Sequence, residues 1–540
     1  MGNARFTLFV LFGAVLAALL FSPRTPHTDT YLLMAEYGLL LPAVVLGLRA
    51  IPSANGGSWM PVPPMLLTLA LFFSLNLTIR NFITQDVASG DEGAYHFQAR
   101  LFAAGTVAAE APPDIQVGDR PLRAVFRFHH HAMVGDRWLT QYPPGWPALL
   151  SLAWRARLDW LLNPLLGGWI LLLTWRIGCL LYTPRTGELG AAIAALSLFF
   201  QHYTSGYLSH PSCGAFLITA VYFYLRGRQE AAVWRHFTLS LLCIAGASFI
   251  RPYTGFCTGA VLGVLLLAEA RKRGILVRFL ILTSALSLVW LGGYLGYNLH
   301  AHGRLSSYSS AGLSVREIFV ANPFELLESV AMSTRWSIQS MMMYGFPFLL
   351  PLAAHTLVAD RDHRVSAWML AALFLSVVAG YSVTKLGGQS GATFGERYYY
   401  EMYFALCLLA GRGLLLLAES RSRAVIRAVG PALLICSSVY GVHAALYAKR
   451  ASGNFDPYAA VRDVALQITD RNSVVYLPVN LGRETNMNAP DWKRAPAVYL
   501  EDPGESLRAP VTGVLGRRTW YVITYDPAPR KASVLRQTLP

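Results

Sequence analysis

Apolar runs close to the length of a membrane-crossing helix recur along most of this chain, more than one soluble core could bury. A helix needs about 20 residues to cross the hydrocarbon of a bilayer. FTLFVLFGAVLAALLF near the start, LLNPLLGGWILLLTWRIGCLLY in the middle and AVIRAVGPALLICSSVYGV near the end are examples. The 540 residues are 54% hydrophobic and only 14% charged, whereas average chains carry about 25% charged residues. The pattern predicts an α-helical polytopic membrane protein.

The net charge of +15 is not gathered on one polar face. It falls in bursts between apolar runs, at Arg271 to Arg273, Arg361 to Arg364 and Arg421 to Arg427. That is the bias of cytoplasmic loops, and it argues against a nucleic-acid binder. Cys179, Cys213, Cys243, Cys257, Cys407 and Cys436 all lie in apolar segments, with no CxxC spacing. Neither a disulfide framework nor a thiolate zinc site is expected. No small-residue cleavage site precedes Phe21-Ser22-Pro23, so the first run reads as an uncleaved helix. The sequon at Asn76 lies inside an apolar run and reads as chance.

Apolar segments near 5–22, 31–49 and 63–80 precede a polar stretch, 81–143. Further segments lie near 165–183, 187–205, 211–226, 236–251, 254–270 and 277–299. A second polar loop, 300–335, separates these from segments near 336–358, 366–385, 398–417 and 426–447. The segment 145–160 is apolar but short, and it carries Arg155, Arg157 and Asp159. If it lies flat at the interface, every later Arg/Lys cluster falls on the cytoplasmic side; if it crosses, Arg176 and Arg185 flank the outer face. We therefore expect an interfacial amphipathic helix there, about 13 spans in all, and an external C-terminal tail. Residues 1–447 form the expected membrane domain, with the external loop 81–164. The tail, 448–540, changes character: a helical pattern near Tyr458–Thr469 and β-type runs at Val474–Val479, Ala497–Leu500 and Trp520–Tyr525. It reads as a small α/β domain of about 90 residues, near the lower limit for folding alone.

The residues that can carry chemistry gather at the outer side of this topology. Asp91 and Glu92 open the string DEGAYHFQARLFAAG. A partly desolvated carboxylate has a raised pKa, which suits a general base. The same residues after Ser89 also suit a helix N-cap. His129, His130 and His131, with His96, offer imidazoles for a metal, yet neighbours on a strand point to opposite faces. A solvated or substrate-contacting loop is the other reading. Tyr142-Pro-Pro-Gly-Trp-Pro147 forms a rigid turn into the interfacial helix. His210 opens one apolar segment and Arg251 ends another, each positioned either for an anionic headgroup or to snorkel to water. Lys385 and the run Gly395-Glu396-Arg397-Tyr398-Tyr399-Tyr400-Glu401 face the same side. An arginine fork beside tyrosine hydroxyls suits a phosphate; an aromatic belt with an interfacial arginine is the alternative.

The acidic DE of the first external loop, the Tyr-Pro-Pro-Gly turn and the late GERYYYEMYFALCLLAGRGL resemble the GT-C superfamily of glycosyltransferases. More narrowly, they are similar to bacterial members related to protein mannosyltransferases and lipid A aminoarabinose transferases. The resemblance covers about 60–420. It implies a sugar donor on a polyprenyl phosphate, a cell-envelope glycan, lipid or protein as acceptor, and a site on the extracytoplasmic face of a bacterial inner membrane. By position, Asp91 is then the catalytic base or acceptor-orienting residue, with Glu92 beside it. Arg397, Lys385, Arg251 and Tyr398 would hold the donor phosphate, and His210, His129, His131 and Tyr142 would contact substrate. No metal ligand is assigned, and a divalent cofactor stays open. The chain departs from the aminoarabinose transferases at His210-Pro211, where they carry Asp-Pro, and at Gln141-Tyr142, where they have a lysine before the turn. A transporter or flippase of a lipid-linked substrate, or a non-catalytic envelope assembly subunit, is the alternative. A transporter should show two related halves with intramembrane charges; no repeat is visible, and the charges lie at one face.

Overall fold

The computed structural model describes residues 64–84, 89–230, 233–306, 319, 322–343, 345–346, 349–384, 397–419, 457–468, 470–479, 481, 486–527 and 531–538. The expected segments near 5–22, 31–49 and 426–447, and Lys385, lie outside them.

The chain enters with α1 (Pro64–Thr78), which tightens into one π-helical turn, Ile79–Thr84. The loop that follows is structured: α2 (Gly90–Ala103), short strands β1 (Ala109–Glu110), β2 (Gln116–Val117), β3 (Arg120–Pro121), β4 (His131–Val134) and β5 (Arg137–Thr140), then α3 (Gly145–Arg155). The bundle continues with α4 (Asp159–Leu181), α5 (Pro184–Leu196), α6 (Leu198–Ser205), α7 (His210–Gln229), α8 (Val233–Ile250), α9 (Pro252–Lys272) and α10 (Leu276–His302). It closes with α11 (Pro323–Met343), α12 (Leu349–Ala359), α13 (Arg364–Ser382), a 3₁₀ turn at Arg397–Met402 and α14 (Tyr403–Glu419).

Among the described residues, six helices are long and apolar enough to cross a membrane: α4, α8, α9, α10, α13, and α14 with its 3₁₀ turn. The pair α6 and α7 makes a seventh if taken as one span, bent by 113°. Helix α3 has 11 residues, about half a crossing, and one apolar face centred on buried Trp146 and Leu150. The expected segment 187–205 is divided at Ser197, whose hydroxyl caps α6 at the Phe200 N–H, 3.5 Å away.

The expected span 336–358 is instead two helices, α11 and α12. Pro347 in the sequence between them cannot continue a helix. Helix α11 begins at Pro323, inside the stretch read as a polar loop, because Asn322 caps it: its Oδ1 accepts the Glu325 N–H at 2.9 Å, and its amide donates to Glu325 Oε1 at 3.0 Å.

The tail forms a four-stranded sheet in the order β7 (Ala497–Glu501), β6 (Ser473–Leu477), β8 (Thr519–Asp526), β9 (Lys531–Thr538). Helix α15 (457–466) precedes it, and α16 (Glu505–Val514) connects β7 to β8. Alternate residues of each strand face opposite sides. Val475, Leu477, Tyr521 and Ile523 pack with Val461 and Ala465 of α15. Val474, Tyr476, Val498, Leu500 and Trp520 pack with Phe97, Leu101, Phe126 and Trp138 of the loop. The sheet is therefore not packed as a free-standing unit: the polar loop completes one of its two faces. Burial of each large side chain there contributes about 1.5–3 kcal/mol. Polar contacts reinforce the joint, with the Arg100 guanidinium donating to Asn486 O (2.5 Å) and Met487 O (3.2 Å), and Trp492 Nε1 to Glu110 O (2.7 Å). Arg100 stands on the same helix as Asp91, so the sheet anchors the element that carries the carboxylate.

Candidate active site

Helix α2 begins with an ordinary cap, Ser89 Oγ accepting the Glu92 N–H at 3.4 Å. The two carboxylates of its first turn then part. Glu92 is buried, and its Oε1 accepts the Tyr207 N–H at 2.7 Å. It sits inside the sharp bend between α6 and α7, where a Cβ on Gly206 would come within 2.3 Å of that oxygen. A larger residue at 206 would push this oxygen out of its place in the bend. Glu92 thus braces the bend and leaves Asp91 alone in the open site.

Asp91 is 14% exposed, and three side chains converge on it. Arg397 Nη1 donates to Oδ2 at 2.5 Å, the Tyr142 hydroxyl donates to Oδ1, and His130 Nε2 lies 3.5 Å from Oδ1. Burial pushes the carboxyl pKa up. The guanidinium of Arg397, the His130 imidazole and the hydrogen bonds from Tyr142 and Arg397 together outweigh it and hold the group well below the usual carboxylate range. This corrects the expectation of a raised pKa: desolvation is present, but a buried cation in contact reverses the sign.

A second knot of charge lies behind the first. Glu401 is fully buried, and its Oε1 is 3.0 Å from both His210 Nδ1 and Arg251 Nε. Arg251 also donates from Nη1 to Ser209 Oγ and from Nη2 to the Tyr381 hydroxyl, each at 3.2 Å. Ser209 Oγ in turn is 3.0 Å from the Tyr95 hydroxyl, one turn along α2 from Asp91. Tyr398 joins the two knots. Its ring is 5.3 Å from the Arg251 guanidinium and 5.5 Å from that of Arg397, and it stacks on Tyr381 at 4.4 Å. The 3₁₀ turn explains the placement: residues three apart eclipse in it, so Tyr398 and Glu401 share one side.

Asp91, Arg397, Tyr142, Tyr398, Arg251 and His210 therefore come together from distant parts of the chain. His129 is exposed beside them, its ring 6.1 Å from that of His130. His131 turns inward, against Phe97, Phe128 and Trp138, and its Nδ1–H donates to the His129 carbonyl at 2.7 Å. His96 packs on Tyr207 and Trp154. Among the described residues no three His, Cys, Asp or Glu side chains are grouped to hold a metal ion. Glu401, Tyr95, Ser209, Tyr381 and His130 were not assigned to the site from sequence. The only signal for Glu401 was its spacing from Arg397 in the RYYYE run.

The inward turn of His131 has a measurable consequence. Burial lowers its pKa from 6.5 to about 3. The unfolded chain then binds a proton that the folded loop excludes between these values, so the stability contribution is complete above 6.5 and is lost as pH falls toward 3. The slope is at most about 1.4 kcal/mol per pH unit. In thermal melts, His131→Phe should show a smaller drop in midpoint between neutral and mildly acidic buffer than the wild type.

No family model matches the chain, and no curated protein matches it. Its similarity is to solved structures. The crystal structure of ArnT from Cupriavidus metallidurans bound to undecaprenyl phosphate superposes with a TM-score of 0.53 at 14% identity, covering 87% of this chain and 97% of that one. The apo state of the same protein gives 0.52 at 13% identity, with the same coverage. At these identities the likeness is one of fold.

Proposed function

We propose that this chain, which has the fold of the GT-C superfamily, is a glycosyltransferase that moves a sugar from a polyprenyl-phosphate donor to a cell-envelope acceptor. The site would lie at the extracytoplasmic face of a bacterial inner membrane, in a protein of about 13 spans. The observation that carries this reading is the Asp91–Arg397 ion pair, formed by residues 306 apart at the meeting of the loop and the bundle. A largely buried carboxylate in contact with an arginine, a tyrosine and a histidine is a pairing of acceptor-orienting and phosphate-binding groups.

The donor phosphate competes with Asp91 for the Arg397 fork. Once the phosphate takes the guanidinium, Asp91 is released to hold the acceptor hydroxyl. As the bond from the anomeric carbon to phosphate breaks, charge grows on the phosphate oxygen, and Arg397 is placed to stabilise it. Arg251 is committed to Glu401, Ser209 and Tyr381. Its part is therefore to position Tyr398 and Arg397 and to add positive potential.

Undecaprenyl phosphate titrated into the purified protein in nanodiscs tests this reading. The wild type should bind it saturably. Arg397→Lys keeps the charge but loses the planar fork, and should weaken binding by about 1–3 kcal/mol, the range for a charge-assisted hydrogen bond. Saturable binding that is indifferent to Arg397→Lys reduces Arg397 to an interface anchor, and no saturable binding by the wild type overturns the donor assignment.

A further inference from the structure

We infer that His130, set by Gln141, is a positioning residue for Asp91: its Nε2–H holds Oδ1 of the carboxylate while Oδ2 receives the acceptor hydroxyl. The inference rests on the glycosyl-transfer reading above, in which the donor phosphate takes Arg397 away from Oδ2. Among the described residues, the Tyr142 hydroxyl and the His130 ring are then the side chains left against the carboxylate. A carboxylate held by one hydroxyl can still turn about its Cβ–Cγ bond. A second donor on the same oxygen fixes its plane and points Oδ2 outward, and a reacting group held at one angle is worth more than one that turns.

The ring is built to be that donor. The Gln141 N–H donates to the His130 carbonyl at 3.0 Å, which extends the β4–β5 ladder by one rung beyond the His131–Thr140 pair. His130 and Gln141 are therefore cross-strand neighbours, and their side chains meet. Gln141 is buried, and its Nε2 lies 2.7 Å from His130 Nδ1. The amide N–H donates to Nδ1, so the hydrogen of the neutral ring is on Nε2. That Nε2 faces Asp91 Oδ1 at 3.5 Å. The ring thus has a hydrogen to give and no lone pair toward the carboxylate, and its part is to orient.

Two further observations place His130 in the site. Its backbone is left-handed, with φ of 61°, at the entry to β4. Such positions are uncommon for a residue with a side chain and cluster at active sites. Its side chain is 36% exposed, against 14% for Asp91 and 20% for Arg397. Asp91 is accordingly gripped by Arg397 from the bundle and by His130 from the aqueous side, where an acceptor arrives. At 3.5 Å the contact is at the outer limit of a hydrogen bond, while Arg397 and Tyr142 share the charge of the carboxylate. It closes when Arg397 turns to the phosphate.

The left-handed backbone supplies the test, because glycine and asparagine both tolerate it. Glycine has no donor, and the asparagine amide stops one bond short of the histidine Nε2. Glutamine carries an N–H to the same reach but cannot take up a proton. The wild type and the three variants are assayed as full chains in inner-membrane vesicles, by release of undecaprenyl phosphate from undecaprenyl-phosphate-linked hexoses and pentoses. His130→Gly and His130→Asn should lower kcat by about 10-fold to 100-fold, the effect of losing one hydrogen bond to a charged group, and leave the donor KM unchanged. His130→Gln should recover most of that loss. Wild-type kcat in His130→Asn, a glutamine variant no better than asparagine, or a rise in donor KM together with the fall in kcat overturns the inference and leaves the glycosyltransferase reading standing. A wild type that releases no undecaprenyl phosphate overturns that reading, and this inference with it.

Discussion

Asp91→Asn is expected to lower sugar transfer by about 10²-fold or more, while undecaprenyl phosphate binds at least as tightly as to the wild type. The two halves of this result have one cause. Asp91 holds the Arg397 guanidinium through Oδ2 and the Tyr142 hydroxyl through Oδ1. An asparagine keeps the shape and loses the charge. Arg397 is then freer to meet a phosphate, and the acceptor hydroxyl loses its anionic partner. Transfer rates from purified protein, set beside binding isotherms for undecaprenyl phosphate, separate the effects. Loss of binding together with transfer would mean that the pair is a structural brace. Full transfer by Asp91→Asn would move the catalytic role elsewhere, although Glu92 is already engaged by the Tyr207 N–H.

Glu401→Leu is expected to destabilise the protein by about 3–5 kcal/mol, the cost of removing one partner from a buried ion pair. Glu401 is fully buried between His210 and Arg251. Among the described residues, leucine leaves the Arg251 charge with the Ser209, Thr254 and Tyr381 hydroxyls and the Tyr398 ring. The destabilisation appears as a lower melting temperature in detergent. Glu401→Gln should lie between the two, since it can still accept one hydrogen bond from Arg251. A leucine variant with the wild-type melting temperature would show that Arg251 is adequately solvated without the carboxylate.

What could be seen in the sequence depends on how local each signal is. Apolar length is local, and the helices at Asp159–Leu181, Pro252–Lys272 and Leu276–His302 follow it closely. Asp91 was visible because a carboxylate after a membrane helix is unusual, and Arg397 because a fork beside three tyrosines is unusual. Glu401 was not, because its value comes from His210, 191 residues away, which no spacing rule connects to it. His210-Pro211 carries no carboxylate of its own; Glu401, from the 3₁₀ turn, sets one against the His210 ring. Glu92 looked like a twin of Asp91, and only the bend at Gly206 shows that the two face different work. The sign of the Asp91 shift also needed three dimensions. Burial alone predicts a raised pKa, and the contact with Arg397 that reverses it is made across 306 residues. The limits of α11 are local signals: Asn322-Pro323 with Glu325 is a helix start, and Pro347 in the sequence beyond it cannot continue a helix.

The central claim is that Arg397 exchanges Asp91 for the phosphate of a lipid-linked donor. A cryo-EM structure of the full chain in nanodiscs with undecaprenyl phosphate tests it most directly. The account predicts phosphate density within hydrogen-bond distance of the Arg397 guanidinium, about 2.7–2.9 Å, beside the Tyr398 ring, with Asp91 Oδ2 released from Arg397 and facing the aqueous side next to His130. Phosphate bound elsewhere on the bundle, with the Asp91–Arg397 pair intact, would contradict it.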